Sequence, residues 1–125
     1  MKIILNGETP SKKNSRINTK LGKSFPNQRF VKWHNIALSE LQVLLFRKQI
    51  HTFEDKQVKL TATFYHGDYK KRDSDNQLSS ILDLLVDSKI LKDDCWRIIP
   101  EKHVYDKYDK HNARVEIELT EYVDE

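Results

Sequence analysis

Val58, Leu60, Ala62 and Phe64 alternate with Lys59, Thr61, Thr63 and Tyr65. Successive side chains of an extended chain leave on opposite faces, so a period of two makes a strand with one apolar side and one wettable side. Such a strand needs a second layer to cover its apolar side. Two segments can supply it. Phe30, Trp33, Ile36, Ala37, Leu41, Leu44 and Leu45 recur at helical spacing between Gln28 and about Ile50. Leu78, Ile81, Leu82 and Leu85 do the same from about Asp75 to Asp87, with Ser74 or Asp75 available as the cap. A chain of 125 residues buries one modest core, so these pieces belong to a single domain spanning 1–125.

Three further strands are predicted. Lys2 to Leu5 is a short apolar run that ends at Asn6-Gly7. Trp96 to Tyr105 reads as a strand whose Pro100 marks an edge or a bulge. Val115, Ile117 and Leu119 alternate with Glu116, Glu118 and Thr120, after a polar turn from Asp106 to Asn112. The expected fold class is α+β: a sheet of about four strands, ending in a C-terminal hairpin, packed on one side against two helices. The polar stretch from Gly7 to Gln28 is too long for an ordinary connector and is therefore either functional or flexible.

Charge is unevenly spread. Residues 1–35 carry eight Lys or Arg against the single acid Glu8, while residues 101–125 carry eight acids against four bases. A basic segment in a chain of net charge +3 suits a polyphosphate backbone, although a solvated basic loop gives the same count. No apolar run reaches the ~18 residues of a membrane span, and the N-terminus lacks a signal-peptide pattern, so a cytoplasmic location and no membrane partner are expected. The one cysteine, Cys95, fits a reducing compartment.

The chemistry concentrates in Arg72-Asp73-Ser74-Asp75-Asn76 and, one helix later, Leu91-Lys92-Asp93-Asp94. Asp73 and Asp75 can face one point, because alternate residues of extended backbone share a side. If the helix returned Asp94 to that point, three crowded carboxylates would repel one another until a hard cation such as Mg²⁺ relieved them. Such a centre suits phosphodiester hydrolysis. The competing reading is that Asp73 and Asp75 cap the helix while Asp93 and Asp94 occupy an exposed turn. Lys70-Lys71-Arg72, directly before the carboxylates, favours the metal by drawing phosphate toward it.

At these residues the chain resembles the RusA family of Holliday-junction resolvases. Arg72-Asp73-Ser74-Asp75-Asn76 matches the family's stretch opening a helix, and Asp93-Asp94 its downstream pair. Pro10-Ser11-Lys12-Lys13-Asn14-Ser15-Arg16 is similar to its N-terminal motif. The resemblance implies a bacterial or prophage endodeoxyribonuclease active in recombination and repair. It implies an intertwined homodimer that binds four-way DNA junctions and makes paired nicks with Mg²⁺ or Mn²⁺. Asp73, Asp75 and Asp94 would be both the catalytic and the metal-binding residues. DNA would be met by Lys12, Lys13, Asn14 and Arg16, within a basic segment at 8–28, and by Lys70, Lys71, Arg72 and Asn76. One position departs from the pattern. The family has a catalytic lysine one helical turn beyond the second Asp, where this chain has Ser79. Lys12, Lys13 or Lys71 would have to replace its charge, or the protein would be a weak or inactive binder of branched DNA. A phosphatase acting on small esters conflicts with the basic stretch.

Core packing is expected for Trp33 and Trp96. Phe25, set among Lys23, Pro26 and Arg29, is a candidate wedge at a junction centre, alongside ordinary packing. The histidines lack paired metal-ligand spacing, and only His66 lies near the proposed site. Glu116 and Glu118 are read as a solvated strand face.

Overall fold

The structure, a computed structural model, describes residues 1–11, 16–18, 24–26 and 28–124. Strands β1 (Lys2–Asn6), β4 (Val58–His66), β5 (Glu101–Tyr108) and β6 (Arg114–Glu121) form one mixed sheet in the order β1-β6-β4-β5. Helices α1 (Gln28–Phe46) and α2 (Ser74–Asp87) complete a small α+β domain. Strands β2 (Arg16–Asn18) and β3 (Ser24–Pro26) pair antiparallel as a separate ribbon within the basic stretch.

The alternation in β4 does what its period requires. Val58, Leu60, Ala62 and Phe64 are buried, as are Ile3 and Leu5 of β1 and Val115, Ile117 and Leu119 of β6. Ala37 and Leu41 of α1 and Ile81, Leu84 and Leu85 of α2 pack into the same core, so both helices cover one face of the sheet. The opposite face is polar. There Glu116 is ion-paired with Lys2 at 2.7 Å and Arg114 at 2.8 Å, and the Arg114 guanidinium lies 3.8 Å from the centre of the Tyr65 ring.

Three expectations need correction. The C-terminal hairpin does not form: β5 lies parallel to β4, and β6 is inserted antiparallel between β1 and β4. The reason lies in the side chains. Strand β6 carries three fully buried aliphatics and belongs in the centre. Strand β5, Glu101-Lys102-His103-Val104-Tyr105-Asp106-Lys107-Tyr108, is mostly exposed and charged, as an edge strand should be. The fourth predicted strand also starts later, at Glu101, because residues 91–100 form turns in which Cys95 O accepts from Ile98 N and Ile99 N. Trp96 consequently lies outside the core, 72% exposed, whereas Trp33 packs against it as expected.

The topology fixes where the candidate residues can go. Strands β1, β4 and β5 run in one direction, so Asn6, His66 and Tyr108 end at the same edge of the sheet. Helix α2 starts at that edge and carries the chain back to the edge where β4 and β5 begin. Beyond α2, Ile90 O accepts from Phe53 N and Ile98 O from Val58 N, which ties residues 90–98 to that second edge.

Candidate active site

The edge where β1 and β4 end carries a cleft of about 210 Å³ whose walls include Glu8, Thr9, Arg29, Lys71, Asp73 and Gln77. Gly7, with φ of 91°, makes the turn out of β1 that brings Glu8 over the start of α2; side chains rarely tolerate that backbone conformation. From there the chain is pinned to the helix. Gln77 Nε2 donates to Glu8 at 2.9 Å and to Thr9 O at 2.8 Å, and Ser80 Oγ donates to Pro10 O at 2.7 Å. The basic segment thus departs from a fixed point beside α2.

Asp73 is the N-cap of α2. Its carboxylate accepts from Asp75 N at 3.0 Å and, more loosely, from Asn76 Nδ2 at 3.4 Å. The capping reading of this aspartate therefore holds, while its place in the cleft leaves it able to serve chemistry as well. Asp75 is exposed in the first turn, where the positive end of the helix dipole favours a carboxylate.

Asp94 is elsewhere. It sits exposed in the turns of residues 91–95, its backbone N–H bonded to Asp93 Oδ1. Helix α2, 14 residues long, lies between it and Asp73. At ~1.5 Å per residue the helix is on the order of 20 Å long, and Asp94 lies beyond its far end. Among the described residues no group of three His, Cys, Asp or Glu is gathered as a metal cage. One chain thus brings Asp73 and Asp75 together and leaves Asp94 apart.

The basic triplet divides by role. Arg72 grips Asp68 at 2.7 and 3.3 Å and approaches Glu8 at 3.3 Å, which makes it a brace of the loop. Lys71 lines the cleft beside Asp73, and Lys70 is exposed on the same loop. Ser79 bonds to Asp75 O at 3.2 Å and contributes no charge. Lys71 is therefore the candidate for the missing lysine that the structure brings to the cleft. Lys12, Lys13 and Asn14 lie outside the described residues, as do the side chains of Arg16 and Phe25.

Sequence reasoning missed Glu8, Thr9 and Gln77. One signal was present: Glu8 is the sole acid among the first 35 residues. Its carboxylate meets His66 Nδ1 at 3.0 Å, and His66 Nε2 meets Asp106 at 2.8 Å. Burial disfavours the imidazolium, but hydrogen bonds and charge from Asp106 and Glu8 outweigh it and hold His66 above the usual imidazole value. An imidazole with an acceptor on each nitrogen is best satisfied doubly protonated. Because the folded value is raised, the stability it contributes is fully present below ~6.5 and is lost as pH rises through the folded value. An NMR titration should place the His66 midpoint above that of a free imidazole, and Asp106→Asn should lower it. An unchanged midpoint in that variant would remove Asp106 as a cause.

A family model described as endodeoxyribonuclease RusA matches residues 7–120. None of the curated proteins matches the chain. No described helix is long and apolar enough to cross a membrane.

Proposed function

The chain belongs to the RusA endodeoxyribonuclease family, and from that premise we propose that it is a homodimeric resolvase that cuts four-way DNA junctions with a divalent metal. The observation that carries this reading is the cleft that Asp73 lines together with Lys71 and Arg29, at the start of a helix whose first turn adds Asp75. Carboxylate beside cation, on an open surface, suits a phosphate group approached by a metal.

The donor set fits a hard divalent ion. Asp75 and Asp94 are exposed and take part in no salt bridge among the described residues, so their oxygens are available to a cation. Mg²⁺ or Mn²⁺ would be held by Asp73, Asp75 and Asp94, and when bound it supplies Lewis-acid polarisation of the phosphoryl oxygen and a more acidic water. The chain's own residues do the rest. Lys71 and Arg29 receive the phosphate backbone, and Asn76 and Lys70 flank the approach. Arg72 keeps the loop in place through Asp68 and Glu8.

A homodimer also answers the separation of the carboxylates. With Asp73 and Asp94 at opposite ends of α2 in one chain, the third carboxylate of each site is the partner's Asp94. Two-fold symmetry then yields two equal sites, which is what paired nicks on a junction require. The setting we propose is recombination and repair in the cytoplasm of a bacterial or phage-infected cell.

The test is direct. Purified protein with Mg²⁺ or Mn²⁺ should cut a labelled four-way junction at symmetric positions and leave a linear duplex of equal length intact. A folded protein that cuts no junction in either metal would end the nuclease reading. Ser79, its hydroxyl turned to the helix backbone, favours a second reading as a weak or inactive binder of branched DNA. Calorimetric titration separates the two. The resolvase should bind Mn²⁺ in a manner lost in Asp73→Asn and Asp94→Asn, and a binding-only protein need not bind it at all.

A further inference from the structure

Tyr69 and Tyr108 stack on each other in solvent. Their ring centres are 4.3 Å apart and their planes 19° from parallel, yet Tyr69 is 84% and Tyr108 44% exposed. Large aromatic rings mostly bury their area, so a stacked pair with Tyr69 left this exposed presents an open π surface. The loop that carries it is built to hold it out. Asp68 and Arg72 close the loop with two hydrogen bonds, and Asp68 also accepts from Lys70 N at 2.9 Å. The Arg72 guanidinium, helped by that backbone N–H, holds the Asp68 carboxyl down to about 2, so the clamp stays charged at any working pH. Between its two ends Tyr69, Lys70 and Lys71 are left on the outside of the loop, all exposed.

We propose that the Tyr69–Tyr108 pair is a stacking platform for an unpaired nucleobase at a DNA branch point. Resting on the junction-cutting reading above, the platform supplies its preference for branched over linear DNA. The chemistry around the pair selects this occupant. An aromatic face binds any base, and Lys70 and Lys71, next to Tyr69 on the same loop, match the phosphates that flank one. Inside a duplex each base already has a neighbour on both faces, so a free face occurs only where strands diverge or end. Reach agrees as well. Tyr69 precedes Asp73 by four residues, at most about 14 Å of chain, which is the length of about four stacked nucleotides. A base on the platform and a phosphate at Asp73 can therefore belong to the same strand.

Binding of the full-length protein to a four-way junction, a linear duplex and a single strand, all in EDTA so that cutting does not intervene, tests the platform. Tyr69→Ala should weaken junction and single-strand binding by roughly 5- to 100-fold. It should leave duplex binding within about two-fold and keep the slope of log affinity against log salt, because stacking releases no counterions. Lys71→Ala should weaken all three and flatten that slope. Tyr69→Phe, which keeps the ring, should restore binding, and this rescue distinguishes a stacking role from a folding defect. Equal losses on junction and duplex, no loss on any substrate, or failure of Phe to rescue would overturn the platform. A wild-type protein that holds single strands through Tyr69 but shows no preference for junctions would overturn the branch-point assignment and the resolvase reading together.

Discussion

Asp75→Asn and Asp94→Asn proteins, each inactive alone, are expected to regain cutting when mixed and allowed to exchange subunits. The expectation follows from where helix α2 puts its two ends. Asp73 and Asp75 stand at the edge of the sheet where β4 finishes, and Asp94 stands at the edge where β5 begins. If each site takes Asp73 and Asp75 from one protomer and Asp94 from the other, a mixed dimer has one site with both defects and one with none. Random exchange makes about half the dimers mixed, so about a quarter of the sites are intact. The recovered activity should be single nicks and not paired ones, because the second site in each active dimer is dead. Each variant alone should lose at least ~100-fold in rate, the scale of removing one preorganised charge-stabilising group. A junction gel that separates nicked from resolved products reads both. No recovery on mixing, with exchange verified by tagged subunits, would place all three carboxylates within one chain or remove Asp94 from the site.

Phe64→Ala should be the most damaging single change to the fold. Phe64 is the largest fully buried side chain of β4, 1% exposed, and pairs across the sheet with Val115 of β6 and Asp106 of β5. Truncating a buried phenylalanine costs about 3–5 kcal/mol, because transfer energy is lost and the cavity only partly collapses. Against a typical domain stability of about 5–15 kcal/mol that is a large fraction. The melting temperature should fall by roughly 10 °C or more. Thr63→Ala, one residue back on the polar face, should change stability by no more than ~0.5 kcal/mol. Urea melts of the two variants make the comparison. Similar midpoints would mean that Phe64 does not sit in the core as described.

Much of the architecture was legible in the chain. The alternation of β4 and β6 and the helical spacing of α1 and α2 are local patterns, and each survives in the structure with its apolar face buried, save Ile36 of α1, which stands 51% exposed because it falls at the margin of the stripe that Phe30, Ala37 and Leu41 bury. The boundary of β5 was not legible. Ile98 and Ile99 look like strand residues, yet they close a turn on Cys95, and Pro100 precedes the strand that follows. Trp96 is exposed because it stands in a turn, where an aromatic need not be covered, and not in a strand, where it would be expected to pack. At the candidate site, Asp73, Asp75 and Lys71 could be named from sequence because they are neighbours in the chain. Glu8, Thr9 and Gln77 could not, since Glu8 and Gln77 meet across 69 positions.

By itself the sequence determined which side of β4, β6 and α2 is apolar, that α2 opens within residues 73–75, and the family to which the chain belongs. Tertiary structure alone decided strand order and the company each aspartate keeps. Periodicity states what an element must hide, but not from which neighbour; that depends on matching whole faces. The three buried aliphatics of β6 claim the centre of the sheet, the charges of β5 push it to the edge, and α2 must cross the full height between them. That crossing is what parts Asp94 from Asp73.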